Sequence, residues 1–289
     1  MEIAISLEED NMLIGLILFL TVLGGLGICY ASGAFLGFSW LWTLPLSFVG
    51  LFVLLLALAV GFLWLVCELG HSDKPQENDS RFYRTLANLY AEAIIQLFPV
   101  RITTRGLEKT PKDGRFLLVC NHLHEADPVI LLHYFRKSQL AFISKRENND
   151  MFIVGKIMPK LMCQLVNREN DREALKTIVK CIQLLKKDKV SVAVFPEGYI
   201  REDRKFHQFR PGVFKIAQKA NVPIVVCTVR DTYKIIPNFL KGKSTDVELH
   251  LLEVIPTEEL QGKTTVEIAD RIHAMMAEDL GEAYMPEDE

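Results

Sequence analysis

Residues 116–128 read Phe-Leu-Leu-Val-Cys-Asn-His-Leu-His-Glu-Ala-Asp-Pro, an apolar run that ends in a short polar loop. The run Phe116–Cys120 has the length and composition of a strand buried on both faces of a sheet. Asp127 and Pro128 are typical of a helix start, because Asp caps free N–H groups and Pro suits the first helical turn. The stretch therefore predicts a strand, a tight loop and a helix, as in α/β proteins.

The sequence after residue 80 repeats this alternation. Short runs bounded by Gly, Pro, Asn or Asp predict further strands at Leu140–Ile143, Val190–Phe195, Pro223–Thr228 and Val247–Val254. Helical spacing predicts helices at 81–98, Pro128–Phe135, Arg172–Lys186, Val213–Ala220 and Val266–Leu280. We therefore expect an α/β fold with a mostly parallel central sheet flanked by helices.

Charge is distributed unevenly along the chain. Its 289 residues carry 33 Lys and Arg against 36 Asp and Glu, a net charge of −3 that excludes a strongly basic nucleic-acid-binding protein. Residues 1–69 contain no Lys or Arg, and their acids are Glu2, Glu8, Glu9, Asp10 and Glu68. We therefore expect an N-terminal membrane hairpin at 1–70, a polar linker at 71–81 and a soluble domain at 82–289.

Two apolar stretches, Met12–Ser32 and Leu46–Cys67, are each long enough to cross a hydrocarbon core of about 30 Å as a helix. A signal peptide is disfavoured, because the N-terminus is acidic and the apolar run is too long. The stretch Gly33–Pro45 between them carries aromatic residues, which favour the membrane–water boundary, and Gly33 and Pro45 are expected to punctuate the turn. A helical hairpin with both ends on one side is predicted, and a re-entrant pair is the alternative.

Basic residues soon after the second stretch set the expected orientation. Lys74, Arg81 and Arg84 follow it, and the positive-inside rule then places the soluble domain on the cytoplasmic face.

The six cysteines form no CxxC pair, and two of them lie in the apolar stretches. A multi-pass membrane protein with two spans and free thiols is expected, without a disulfide or zinc framework.

The loop after Phe116–Cys120 combines an imidazole with a carboxylate. In α/β sheets, ligands meet the chain at the carboxyl ends of strands. A carboxylate beside His122 would fix its tautomer and stabilise its cation, so His122 with Asp127 is a candidate general base. Two alternatives stay open. Either Asp127 only caps a helix beside an incidental histidine, or His122, His124, Glu125 and Asp127 hold a metal, although no later His or Cys cluster completes its shell.

A second strand end is rich in charge. Residues 192–198, Val-Ala-Val-Phe-Pro-Glu-Gly, end a predicted strand in a turn, and a basic segment follows it: Arg201, Arg204, Lys205, His207, Arg210 and Lys215. Arg168 follows another short apolar run, and Lys145 and Arg146 follow the strand predicted at 140–143. Arginine binds phosphate through its planar fork. These residues predict an anionic substrate, with a solvated charged surface as the alternative.

Several blocks, in order, resemble those of one enzyme family. His122 to Asp127 is an HX4D box preceded by Asn121, and residues 195–198 resemble the FPEG box. Arg168 resembles the arginine of the block between them. Residues 209–215 resemble a later F-x-x-G stretch, and residues 222–225 resemble the last block. The stretch from 82 to 255 thus resembles the glycerolipid acyltransferases, most of all those that act on 1-acylglycerol 3-phosphate.

The resemblance implies a reaction and roles for its residues. It implies transfer of a fatty acyl group from acyl-CoA or acyl-carrier protein to the sn-2 hydroxyl of 1-acylglycerol 3-phosphate in the bilayer, giving phosphatidate. His122 would be the general base and Asp127 its orienting partner. The candidate substrate-binding residues are Arg168, Glu197, Gly198, Arg201 and Lys145. No metal, cofactor or nucleic acid is implied.

The chain departs from the family pattern beside the FPEG box. The box often continues with Thr-Arg, whereas here Tyr199 and Ile200 precede Arg201, and Ile200 has no group that binds phosphate. Another lysophospholipid or glycerol 3-phosphate is therefore the alternative acceptor. Two further alternatives are an acyl-thioester hydrolase, although the chain contains no GxSxG nucleophile elbow, and a non-catalytic membrane protein on the same scaffold.

Overall fold

The computed structural model describes residues 12–69, 75–167 and 170–286. The α-helices in these ranges are α1 (Met12–Ala31), α2 (Trp40–Leu69), α3 (Arg81–Leu97), α4 (Asp127–Tyr134), α5 (Val154–Ile157), α6 (Asp171–Lys186), α7 (Lys215–Ala220), α8 (Ile235–Leu240) and α9 (Thr265–Leu280). The strands are β1 (Val100–Arg105), β2 (Leu117–Cys120), β3 (Leu140–Lys145), β4 (Gln164–Val166), β5 (Ser191–Val194), β6 (Ile224–Arg230) and β7 (Thr245–Ile255). Each helix and strand predicted for the soluble domain is present, with ends that differ by a few residues.

These strands form one sheet in the order β1-β7-β6-β2-β5-β3-β4. All neighbouring pairs are parallel except β6 and β7. The predicted α/β fold with a mostly parallel sheet is confirmed. The predicted strands do not include β1 and β4, because β4 has only three residues and the edge strand β1 has only two strongly apolar residues, Val100 and Ile102.

The central strand β2 explains why its sequence is apolar throughout. Leu117 and Val119 pack on one face of the sheet, in a cluster with α6, α7 and α9. Leu118 and Cys120 pack on the other face, in a cluster with α3 and α4. All four side chains are buried. A strand covered by helices on both faces needs no polar side, so an unbroken apolar run is its expected pattern.

Helices α1 and α2 pack against each other as a hairpin. A Cβ atom on Gly24 would come 2.8 Å from Leu51 Cδ1, and one on Gly25 would come 3.3 Å from Ser47 Oγ, so the small residues allow close approach. Gly33 follows α1 with a φ of 67°. Both helices are long and apolar enough to cross a membrane, with mean hydropathies of 2.5 and 2.8.

The turn of the hairpin is shorter than the predicted stretch Gly33–Pro45. Helix α2 begins at Trp40, and Pro45 lies inside it. The expectation that Pro45 punctuates the turn is therefore wrong. Proline removes one helical hydrogen bond but does not end an apolar helix whose freed carbonyl group finds another partner.

Side-chain contacts join α2 to the soluble domain. Glu68, near the end of α2, pairs with Lys156 of α5. Trp64 stacks on Phe152, with ring centroids 6.0 Å apart. Both domain residues belong to the segment between β3 and β4, so this segment holds the end of α2 against the soluble domain.

Arg84 is not the surface charge that the orientation argument assumed. Its side chain is 6% exposed, binds Asp79 Oδ1 at 2.6 Å and donates to the Leu140 carbonyl group at 2.5 Å. This buried guanidinium connects the start of α3 to β3. The positive-inside argument is left with Arg81, which is exposed, and with Lys74, which lies outside the described residues.

Gly106, directly after β1, occupies a position that excludes a side chain. Its φ is 73°, and a Cβ atom would lie 2.2 Å from the Leu251 carbonyl oxygen of β7. Gly114 has a similar φ of 76°, but no described atom lies within 4 Å of its Cβ position. We expect Gly114→Ala to cost about 1–2 kcal/mol of unfolding free energy through backbone strain alone. Gly106→Ala should cost more, because β7 must also move. Thermal unfolding of both variants in detergent micelles tests this, and equal losses would contradict the close approach.

Candidate active site

The loops after β2 and β5 lie side by side because their strands are adjacent and parallel. Residues 121–126 follow β2, and residues 195–198 follow β5. Strand β3, the next neighbour of β5, ends at the same edge of the sheet. Ligands of α/β proteins bind at this carboxyl edge, so these loops form the candidate active site.

His122 and Asp127 form a hydrogen-bonded pair on the first loop. His122 Nδ1 lies 2.8 Å from Asp127 Oδ2. The Asp127 side chain is fully buried, while the His122 side chain is 16% exposed. When Nδ1 carries the proton and donates to the carboxylate, the lone pair of the ring is on Nε2. The pair can therefore hold an imidazole that accepts a proton at Nε2.

The Asp127 carboxylate stabilises the loop instead of capping the helix. Asp127 is the first residue of α4, and its Oδ2 accepts the backbone N–H groups of Leu123 and His124 at 2.7 and 2.8 Å. The predicted N-cap role of Asp127 is wrong, since the side chain turns back into the loop. The same oxygen fixes the loop backbone and orients the His122 ring.

Asn121 attaches the loop to the neighbouring strand β6. Its side chain is buried, and its Nδ2 donates to the Val229 carbonyl oxygen at 2.9 Å. The Val229 N–H donates to Asn121 Oδ1 at 2.8 Å. Both polar atoms of the amide are thus used to hold the residue before His122.

Glu197 connects the two loops from the other side. Its Oε1 accepts the His122 N–H at 2.9 Å, and its Oε2 accepts the His207 N–H at 3.0 Å. The residue is 5% exposed. Burial raises the pKa of Glu197 to about 8, against the lowering effect of the two N–H donors. The structure thus places this predicted substrate-binding residue in a buried position, bonded to the backbone of the His122 loop and of the basic segment that follows its own turn.

Phe195 packs directly on the His122 ring. The two ring centroids are 4.0 Å apart, with an angle of 14° between the planes. Phe142 of β3 stacks on Phe195 in turn, with centroids 6.2 Å apart. An aromatic stack restricts rotation of the imidazole.

An apolar cavity of about 300 Å³ lies beside Phe195. Its lining residues include Ile143, Val166, Ile178 and Val213. The cavity also touches Gly198, whose φ is 92°, and a Cβ atom there would lie 3.1 Å from Arg210 Nε. Glycine at this position lets the turn adopt a left-handed conformation beside a guanidinium.

The remaining predicted substrate-binding residues are spread around this edge. Lys145 is exposed at the end of β3. Arg201 is exposed, and its guanidinium carbon lies 4.8 Å from the ring centroid of Tyr199. Arg168 lies outside the described residues and stays a prediction. In the part of the chain that the structure describes, no group of three or more His, Cys, Asp or Glu residues could hold a metal ion.

Sequence patterns miss two further polar contacts of the site. Asp203 Oδ2 lies 2.8 Å from His207 Nε2, next to the bond from His207 to Glu197. Arg204, with a φ of 56°, donates to the Leu123 carbonyl oxygen at 2.9 Å. The basic segment that predicted an anionic substrate thus also binds the His122 loop, and its composition alone gives no indication of this.

Comparisons with known proteins find similarity to acyltransferases. The family model described as Acyltransferase matches residues 101–230. A probable 1-acyl-sn-glycerol-3-phosphate acyltransferase of Mycoplasma pneumoniae is 29% identical over 192 residues, 64% of this chain and 71% of that protein. This chain is similar to acyltransferases over less than half of its length in the family model and over 64% of it in this relative. The matched region contains His122, Asp127 and Glu197, and the apolar hairpin lies before it.

Two other similar proteins differ in how much of their length this chain matches. A chloroplastic 1-acyl-sn-glycerol-3-phosphate acyltransferase of Arabidopsis thaliana is 32% identical over 164 residues, 56% of this chain but only 45% of that one. The crystal structure of the 1-acyl-sn-glycerophosphate acyltransferase of Thermotoga maritima matches with a TM-score of 0.60 at 22% identity. It covers 79% of this chain and 90% of that one, and it supports the fold.

The raised pKa of Glu197 predicts a pH-dependent stability. The carboxyl group has an ordinary pKa of 4.5, which folding raises to about 8. Folding therefore takes up a proton between these values, and stability falls as the pH rises through them, by up to about 1.4 kcal/mol per pH unit. Glu197→Gln removes this proton uptake. We expect its thermal unfolding midpoint in detergent micelles to depend less on pH between about 5 and 8 than that of the unmodified protein.

The same variant has a second expected effect. The side-chain amide nitrogen that Glu197→Gln introduces cannot accept an N–H group, so one of the two loop contacts is lost and the variant should be less stable at about pH 5. Parallel midpoint curves for the two proteins would show that Glu197 is ionised in the fold.

Proposed function

We propose that this protein transfers a fatty acyl group from acyl-CoA or acyl-carrier protein to the sn-2 hydroxyl of 1-acylglycerol 3-phosphate, giving phosphatidate. The observation that carries the proposal is the His122–Asp127 pair, with a carboxylate oxygen 2.8 Å from Nδ1. The match to the Acyltransferase family model and the names of the similar proteins support the reaction class and the acceptor.

In this mechanism His122 moves one proton. Nε2 takes the proton of the acceptor hydroxyl while the oxygen attacks the thioester carbonyl carbon. The buried Asp127 carboxylate stabilises the imidazolium that forms. When the tetrahedral intermediate collapses, the C–S bond breaks and the sulfur leaves with the proton from Nε2. The ester forms without an acyl-enzyme, and the histidine returns to its starting state.

The cavity beside Phe195 suits the acyl chain of the donor. It is apolar over most of its lining, and Phe195 itself separates it from the imidazole. A chain in this cavity would bring its thioester end to the His122 side of Phe195. Holding the carbonyl carbon there converts part of the chain's binding energy into orientation of the reacting atoms.

Basic side chains around the edge are proposed to bind the acceptor's phosphate. Lys145 and Arg201 are exposed at the ends of β3 and of the turn after β5, and Arg168 follows β4 in the sequence. Arginine binds phosphate oxygens through paired N–H groups, and lysine acts as a point charge. Glu197, which is buried and bonded to backbone, supports the loops that carry these groups.

The hairpin is proposed to hold the domain at the cytoplasmic face of a membrane. The mean hydropathies of α1 and α2 and their exposed apolar surfaces support the membrane location, and the exposed Arg81 after α2 favours the cytoplasmic face. A lipid acceptor could then reach the site from the bilayer, while a water-soluble donor arrives from the cytoplasm.

Loss of the base tests the reaction. Membranes that contain the protein, radiolabelled oleoyl-CoA and lysophosphatidate should give labelled phosphatidate. His122→Ala should reduce the rate at least about a hundredfold, because a positioned base is typically worth 10²–10⁴. Asp127→Asn should also reduce it, since an amide cannot stabilise the imidazolium.

Other products would redirect the assignment. Free oleate without an acceptor would indicate a hydrolase, and labelled lysophosphatidate from glycerol 3-phosphate would indicate the other acceptor. Equal rates for His122→Ala and the unmodified protein would exclude His122 as the base.

The phosphate contact has its own test. We expect Lys145→Ala and Arg201→Ala each to raise KM for lysophosphatidate severalfold, because a charge-assisted bond to an exposed phosphate is worth about 1 kcal/mol or more. Exposed Lys243, after α8, provides the matched control for loss of one positive charge. A KM that is unchanged in both site variants would remove these residues from the acceptor site.

A further inference from the structure

A second apolar opening reaches the His122 loop from the side opposite Phe195. This opening, here called the His124 crevice, measures about 60 Å³. Its lining includes His124 and Ala126 of the loop, Ile94 and Phe98 of α3 and its C-cap, Ile102 of β1, and Ile236 of α8. Apart from His124, the residues that line it are apolar. The crevice thus brings an aliphatic surface within two residues of His122 along the chain.

The strand order separates this crevice from the cavity beside Phe195. Strand β2, which carries the His122 loop, has β5 on one side and β6 on the other. Phe195 follows β5, whereas α8 follows β6 and β1 lies beyond it at the sheet edge. The two apolar spaces therefore flank the His122 loop from its two sides.

The His124 crevice continues toward the hairpin. A cavity of about 740 Å³ shares Phe98, Val100 and Ile102 with it and extends to Ile14 and Leu18 of α1. Polar groups, including Gln96 and Ser244, line part of this larger cavity. The two spaces share these walls and, taken together as one path with a polar margin, lie between α1 and the His122 loop.

The exposure of this path indicates what occupies it. Ile94 and Ile236 are 43% and 39% exposed, and α1 is exposed along much of its length. Contiguous exposed apolar surface of this kind marks a lipid or ligand contact. One wall is the helix proposed to lie in the membrane, so the opening of the path would face lipid chains.

We propose that the His124 crevice and the adjoining cavity bind the fatty chain that the acceptor already carries. The donor's chain lies in the cavity beside Phe195, and the acceptor's hydroxyl lies between the two, at His122. This inference rests on the proposed function, because it requires a lysolipid acceptor. It adds a binding site with a stated ligand, an aliphatic chain that enters from the bilayer beside α1.

The test compares acceptors that carry a long or a short fatty chain on the same headgroup. Val129 of α4 lines the His124 crevice, and Ala174 of α6 lines the cavity beside Phe195. Val129→Phe and Ala174→Phe each narrow one of the two spaces. Purified full-length protein in detergent micelles is assayed with 1-oleoyl and 1-hexanoyl lysophosphatidate at a fixed mole fraction, and with oleoyl-CoA and octanoyl-CoA.

Each variant should change the chain-length preference for one substrate, the acceptor or the donor, and not for the other. Val129→Phe should lower the ratio of kcat/KM for 1-oleoyl over 1-hexanoyl acceptor about tenfold, since a hydrophobic pocket discriminates by 10–200-fold per methylene-sized change. It should leave the oleoyl-CoA over octanoyl-CoA ratio as it is. Ala174→Phe should do the reverse. These ratios are measured within one variant, so a lower fraction of folded protein does not alter them.

A second variant covers the case in which Val129→Phe does not fold. Ile236 lies in the crevice and is partly exposed, so Ile236→Glu can fold with its charge in water and still disfavour an aliphatic chain beside it. It should lower the same acceptor ratio.

Contrary results separate the two proposals. Active variants with an unchanged acceptor ratio, or a Val129→Phe variant that changes the donor ratio instead, would overturn the acceptor-chain site alone. An unmodified protein that acylates neither lysophosphatidate would overturn the proposed function, and this inference with it.

Discussion

The buried carboxylate of Asp127 is the constraint on which the site depends. Its Oδ2 lies within 2.8 Å of His122 Nδ1 and of the backbone nitrogens of Leu123 and His124. A charge inside a protein is tolerated only with such partners, so the loop must wrap around this atom. The wrapped loop is also the connection between β2 and α4. The contacts that fix this corner between β2 and α4 are therefore also the contacts that orient the imidazole.

The neighbouring strands hold this corner from both sides. From β6, the backbone of Val229 binds the Asn121 amide. From the β5 side, Glu197 accepts the His122 N–H and Phe195 stacks on its ring. Since β6, β2 and β5 are adjacent in the sheet, the sheet order determines which residues can fix His122. A displacement of either neighbouring strand would change the orientation of the ring.

How well the sequence predicts each interaction depends on how far apart its two partners lie along the chain. The pairing of His122 with Asp127 is predictable because both lie on one short loop after an apolar strand. The contacts from Asn121 to Val229 and from His122 to Glu197 join residues 108 and 75 positions apart, and no local pattern contains them. The position of Pro45 inside α2 is hard to predict for a similar reason, because the residues around it do not show that the helix begins at Trp40.

The arrangement also bears on how acyl transfer could exclude hydrolysis. The His122 side chain is partly exposed, so a base held at this edge could activate water as readily as a lipid hydroxyl. A lysolipid has binding groups that water lacks, namely a phosphate and a fatty chain. Binding energy from these remote groups can orient the hydroxyl and displace water from the thioester. Selectivity for transfer would then arise from the basic edge and the apolar spaces around His122, while the His122–Asp127 pair supplies the proton transfer common to both reactions.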